Sequence, residues 1–232
     1  MRVVTIRIAL GALTFGSSLI AHAQVPDSDH QAAMRAQAEA GIRQHYETRT
    51  AQYAQDSGRR EVVMLGDSLT EGNDWQAAFP NVQVANRGID GDSTQGMLKR
   101  LDTVLDLKPK KVFVMAGIND LSWYRRPVRE IFQRYTKMID ALGQGGATVY
   151  VQSTLKVGPV FPRQTNAAVA DLNDQLRAYC DQGHCRYIDL NPVLAPKGTL
   201  GQDYTYDQLH LNAAGYEKWA QAIRKPVTDH HP

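Results

Sequence analysis

Glu61-Val-Val-Met-Leu-Gly66 and Lys111-Val-Phe-Val-Met-Ala116-Gly117 are short runs, apolar after their first residue and stopped by glycine. Neither alternates apolar with polar residues. A strand with apolar residues at successive positions is covered on both faces, as in a parallel sheet flanked by helices. Working outward, Asn81–Asn86, Ala147–Ser153 and Arg186–Leu190 read as three more strands. Helical patterns separate them. Met97, Leu98, Leu101, Val104 and Leu105 form a stripe within Thr94–Asp106. Pro127 opens a helix to about Leu142, and Gly145-Gly146 stops it. Gln164–Tyr179 and Asn212–Ile223 are two further helices. Right-handed crossovers between such strands predict a three-layer α/β/α sandwich on a five-stranded, mainly parallel sheet. No internal repeat or linker divides residues 61–232, so they read as one domain. Ligands of such sheets bind beyond the carboxyl ends of the strands. Chemistry is therefore expected just after Leu65, Asn86, Ala116 and Ser153.

The N-terminus has a different character. Met1–Ala23 combines a basic start, an apolar stretch from Ile8 to Ile20 and an Ala21-x-Ala23 site, the layout of a cleaved secretory signal. The apolar stretch is shorter than the roughly 20 residues of a membrane span. Export to the periplasm or the medium is the expectation, with an uncleaved anchor as the alternative. Residues 24–60 are polar and Ala-rich, and read as one or two helices packed on the domain. The whole chain of 232 residues has 26 Lys+Arg and 24 Asp+Glu. The leader removes Arg2 and Arg7 and no acid, so the remainder is neutral. That balance, with no basic run, argues against a nucleic-acid partner. The 43% hydrophobic content argues against disorder. Two cysteines, Cys180 and Cys185, close a short CDQGHC segment. In an exported chain they point to a disulfide, with free thiols as the alternative. His184 alone adds too few ligands for zinc.

The expected strand ends carry polar clusters. After the first comes Gly66-Asp67-Ser68-Leu69-Thr70-Glu71-Gly72. A serine at a strand-to-helix turn exposes its hydroxyl, although Ser68 reads equally well as a helix N-cap. After the second comes Asn86-Arg87-Gly88-Ile89-Asp90-Gly91-Asp92, and after the third Gly117-Ile118-Asn119-Asp120. Far downstream, Asp207-Gln208-Leu209-His210-Leu211-Asn212 sets a carboxylate and an imidazole three apart. That carboxylate can receive Nδ1–H and leave Nε2 free to take a serine proton. The other histidines, His22, His30, His45, His184, His230 and His231, have no comparable partner in the sequence. Asp67 is given no chemistry.

Together these motifs resemble the GDSL or SGNH hydrolases, serine esterases and lipases on a flavodoxin-like sandwich. The resemblance covers about Val62 to Ala222. It implies Ser68 as nucleophile, His210 as base and Asp207 as its orienter. It also implies an oxyanion hole of the Ser68 N–H, the Gly91 N–H and the Asn119 side-chain amide. No cofactor or metal is implied. One departure stands out: a glycine often follows the aspartate of the last block, and here position 208 is glutamine.

Specificity is expected from the loops over the strand ends. Trp75, Trp123 and Tyr124 read as sugar-stacking or acyl-pocket residues, or as ordinary packing. Arg125 and Arg126 read as a carboxylate or phosphate contact, or as solvated cations. The NRGIDGD, GIND and HLNAAGY strings are similar to secreted bacterial carbohydrate O-acetylesterases and lysophospholipase-like esterases. No long apolar lid interrupts the chain. The expected partner is therefore a small-molecule or glycan ester with a short acyl group, without stable membrane insertion. Longer acyl chains and acyl transfer to an acceptor are the alternatives, and a non-catalytic binding module is the least favoured reading.

Overall fold

The computed structural model describes residues 27–229. In chain order, α1 (Asp27–Gln55) leads to β1 (Val62–Gly66), α2 (Ser68–Glu71), α3 (Trp75–Ala78) and β2 (Val84–Gly88). Next come α4 (Thr94–Lys99), α5 (Asp102–Leu105), β3 (Lys111–Met115), α6 (Ile118–Ser122) and α7 (Val128–Gln144). The chain ends with β4 (Thr148–Gln152), α8 (Arg163–Tyr179), β5 (Arg186–Ile188), α9 (Asn191–Leu194) and α10 (Ala213–Thr228). The compact unit that begins at Glu39 holds the sheet and every helix after α1. The leader expected over Met1–Ala23 lies outside the described residues. Among those described, no helix is long and apolar enough to cross a membrane.

The sheet is parallel throughout, in the order β2-β1-β3-β4-β5. Every residue of β1 and β3 is buried. Alternate side chains serve opposite faces, as a pleated strand requires. Val62, Met64, Phe113 and Met115 meet Trp75, Trp219 and Ile223 on one face. Val63, Leu65, Val112 and Val114 meet Met97, Tyr135, Met138 and Leu142 on the other. Helices therefore cover both faces of the sheet. The chain steps from β1 outward to β2 and then returns to the other side of β1 as β3. That reversal opens a crevice at the carboxyl ends of β1 and β3.

Several boundaries differ from the sequence reading. The second strand starts at Val84 rather than Asn81. Gln76 in α3 bonds the Val82 carbonyl and the Val84 N–H, so a side chain occupies backbone groups just ahead of the strand. The single helix expected over 94–106 is two short ones. The break falls at Arg100, whose fully buried guanidinium turns inward to Asp92 and to the carbonyls of Gly66 and Arg87. The last helix continues past Ile223 to Thr228 despite Pro226. Lys111 Nζ donates to the Pro226 carbonyl at 2.8 Å and to the Asp229 carbonyl, which satisfies acceptors at a helix end that lacks later partners. Cys180 and Cys185 are joined by a disulfide that closes the turn after α8.

Candidate active site

The site starts with the turn after β1. Asp67, not Ser68, caps α2: its Oδ1 accepts the Leu69 N–H at 3.1 Å. Ser68 is thus the first helical residue, and its hydroxyl is released from capping. Thr70, Glu71 and Gly72 spend their N–H groups on the carbonyls of Asp67 and Ser68, whereas the Ser68 N–H has no partner among the described residues. The turn lies hard against β2. A Cβ on Gly88 would stand 2.1 Å from the Glu71 nitrogen, so only glycine permits this approach. Asn86 seals the junction. Its Nδ2 donates to the carbonyls of Thr70, Glu71 and Asn73, and its Oδ1 accepts the Gly88 N–H.

The imidazole arrives from the other end of the chain. His210 Nε2 lies 3.0 Å from Ser68 Oγ, across 142 positions of sequence. His210 Nδ1 lies 2.6 Å from Asp207 Oδ2. Asp207 Oδ1 also accepts the N–H groups of Leu209 and His210, at 3.0 and 2.7 Å. Partial burial pushes Asp207 upward, but the bonds from the His210 ring and from these amides outweigh it. The carboxyl is held below its ordinary range and stays ionised. The turn requires Gln208 at φ +72, in the left-handed region. This is the position where glycine was expected, and a residue with a Cβ costs about 1–2 kcal/mol there.

Two further donors meet this edge. Asn119 sits in the first turn of α6, and its Nδ2 donates to the Asp92 carbonyl at 2.9 Å. That bond fixes the carboxamide and leaves its second hydrogen without a partner among the described residues. The Gly91 N–H has none either. Gly91 is in the left-handed region at φ +71, and Ile42 of α1 packs on it so closely that a Cβ would come within 2.8 Å.

Residues that looked ordinary in the sequence hold this loop in place. Glu71 accepts the Asp90 N–H at 2.6 Å and pairs with Arg49 Nε at 2.8 Å, while His45 Nε2 lies 3.0 Å away. His45 therefore does have an acidic partner, contrary to the sequence reading, because α1 brings it over α2. Tyr53 donates to the Gly88 carbonyl and Tyr46 to the Gly96 carbonyl. Beneath the loop, Asp92 pairs with Arg100, and both side chains are buried. Asp120 accepts from the Thr94 N–H and hydroxyl and from Arg126. Asp67 is different. Its Oδ2 is buried without a hydrogen-bond partner among the described residues, and desolvation pushes this carboxyl up to about 7.

Of the three aromatic candidates, Trp75 is not a ligand contact. It is 1% exposed, its Nε1 donates to the Thr70 carbonyl, and its ring packs edge-on against Trp219. It lies in the core because α3 folds back under the turn. Tyr124 is half-buried beside the Gly91 loop, with its hydroxyl 3.3 Å from the Gly91 carbonyl. Trp123, half-buried, ends α6. Arg126 is engaged by Asp120 and by the Tyr124 ring. Val160 stands exposed on the Lys156–Arg163 loop, one of those expected to set specificity, and Tyr206, which sequence reading did not single out, stands exposed and stacked 5.9 Å from the His210 ring.

A hydroxyl bonded to an imidazole, that imidazole bonded to an ionised carboxylate, and three uncommitted N–H donors on the same sheet edge are the parts that serine acyl transfer requires. The GDSL-like lipase/acylhydrolase family model matches residues 64–218. The chain belongs to that family. Its relatives include the platelet-activating factor acetylhydrolase IB subunit alpha1 of Rattus norvegicus, 31% identical over 172 residues, covering 70% of this chain and 73% of that one. A GDSL-like lipase from Bacteroides thetaiotaomicron shares the fold with a TM-score of 0.69 at 22% identity, over 78% of this chain and 96% of the other. An acetylxylan esterase from Geobacillus stearothermophilus shares it with a TM-score of 0.61 at 16% identity, over 75% and 96%. As a GDSL acylhydrolase, the chain is an ester hydrolase.

Proposed function

We propose that this acylhydrolase removes short acyl groups, acetyl above all, from a carbohydrate carrier. In this reading Ser68 is the nucleophile, His210 the general base and Asp207 its orienter. The single observation that carries it is the 3.0 Å contact between His210 Nε2 and Ser68 Oγ. Ser68 Oγ attacks the ester carbonyl carbon as its proton passes to Nε2. The Ser68 and Gly91 amides and Asn119 Nδ2 meet the charge that develops on the carbonyl oxygen. The alcohol leaves with the proton from His210, and water repeats the attack on the acyl-enzyme. The acetylhydrolase name of the 31% identical rat relative supports the acetyl preference. The similarity of the loop motifs to carbohydrate esterases supports the carrier. A longer acyl chain is the second reading, favoured by Val160 and Tyr206, 67% and 72% exposed on the loops around the base. We also propose that the enzyme works after export, which the Cys180–Cys185 disulfide supports.

The test is a series of p-nitrophenyl esters from acetate to palmitate, beside acetylated glycans, with Ser68→Ala as control. Turnover should peak at acetate and vanish in the folded S68A variant. A maximum at eight carbons or beyond overturns the acetyl preference, and wild-type turnover by S68A overturns the nucleophile.

A further inference from the structure

The left-handed residue between the two members of the acid–base pair also grips a second loop. The Gln208 carbonyl accepts the Gly158 N–H at 2.7 Å, and Gln208 Oε1 accepts the Val160 N–H at 2.9 Å. The packing is equally specific. A Cβ on residue 158 would come within 2.5 Å of Gln208 Cβ, so the glutamine side chain occupies the space that Gly158 leaves open. Upstream, Asn166 holds both backbone groups of Val157. Downstream, Phe161 packs on the core. Between these anchors Val160 stands exposed, its backbone N–H held by the residue two before His210, and Tyr206 stacks on the His210 ring from the other side of that turn in sequence. The strained backbone at 208 is what aims one side chain back across the loop after β4 while His210 faces Ser68.

We infer that Gln208 is a positioning residue: it clips Gly158–Phe161 to the base-bearing turn and so sets one wall of the ester-binding site. This rests on the serine esterase reading above and adds to it the element that fixes where the acyl or alcohol group lies. Gln208 touches neither the reacting hydroxyl nor the imidazole. Its loss moves the wall and leaves the proton path in place.

The experiment pairs Gln208→Gly, which relieves the backbone and deletes the side-chain half of the clip while the main-chain bond to Gly158 stays, with Gln208→Glu, which keeps an acceptor at the same reach. Without substrate, amide hydrogen exchange over residues 157–163 should quicken about tenfold or more in Q208G and hold near wild type in Q208E. With p-nitrophenyl acetate and butyrate, Q208G should raise KM about fivefold, shift kcat by less than twofold and flatten the preference between the esters. Unchanged exchange in Q208G overturns the clip. A fall in kcat at constant KM overturns the role as a wall, because the residue would then act through the base. Should wild-type protein turn over no ester, the esterase reading fails, while the exchange measurement still decides whether Gln208 clips the loop.

Discussion

Replacing Asp67 with Asn probes the carboxyl beside the proposed nucleophile. Asp67 is fully buried, one oxygen accepts the Leu69 N–H, and the other has no partner among the described residues. Desolvation, with smaller additions from Asp92, Asp120 and Asp90, raises it from 3.8 to about 7. A carboxyl raised on folding binds its proton more tightly in the native state. Its contribution is therefore most favourable at low pH and is lost as pH climbs from the unfolded value through the folded one. Between pH 5 and pH 8 that loss is about 2–3 kcal/mol, from 1.36 kcal/mol per unit of pKa difference, the greater part of a total of about 4. Asn keeps the acceptor for Leu69 and carries no titrating group. Any cost of burying its Nδ2 is the same at every pH. Urea unfolding of wild type and D67N at pH 5, 6, 7 and 8 should show the variant gaining on wild type by that amount as pH rises. A gap that stays flat, or that moves toward wild type with rising pH, would mean an ionised and well-bonded carboxylate and would refute the reasoning.

Three other perturbations follow from the site. Asn119→Ala removes a donor held in place by the Asp92 carbonyl, and kcat for ester hydrolysis should fall by about 10²–10³ with KM little changed. Asp207→Asn loses the charge that orients His210 Nδ1, so steady-state kinetics should show kcat falling far more than KM rises. Gly88→Ala drives a Cβ into the Glu71 backbone, and denaturant unfolding should show a loss of about 1–3 kcal/mol, with activity per folded molecule also reduced.

The layered sheet was readable because Val62–Leu65 and Val112–Met115 are apolar at every position, which leaves a strand no solvent face. The helices α2, α3, α6 and α9 were not, since four or five residues are too few to display a 3.6-residue period. Ser68, Asn119, Asp207 and His210 stood out through their motifs, and the structure brings Ser68, His210 and Asp207 into one bonded chain. Trp75 read equally as a ligand contact or as packing, and only the fold, which seats its ring against Trp219 in the core, decides for packing. The supports of the Gly91 loop were invisible for another reason. His45 and Glu71 lie 26 positions apart, and nothing local marks a glutamate in a turn as the anchor for Asp90. Nor does anything local mark Arg100, whose guanidinium finds three acceptors inside.

The grip of α1 on Glu71 and Gly91 bears on how this enzyme can be trimmed. The family model matches only from residue 64, so a shortened gene product beginning just ahead of β1 would retain Ser68, His210 and the whole sheet. It would have shed Ile42, His45 and Arg49, and with them the outer brace of the backbone turn that carries Gly91. A helix that carries no signature of the chemistry thus steadies the loop beside Ser68, and a protein trimmed to its hallmark motif is expected to lose that support.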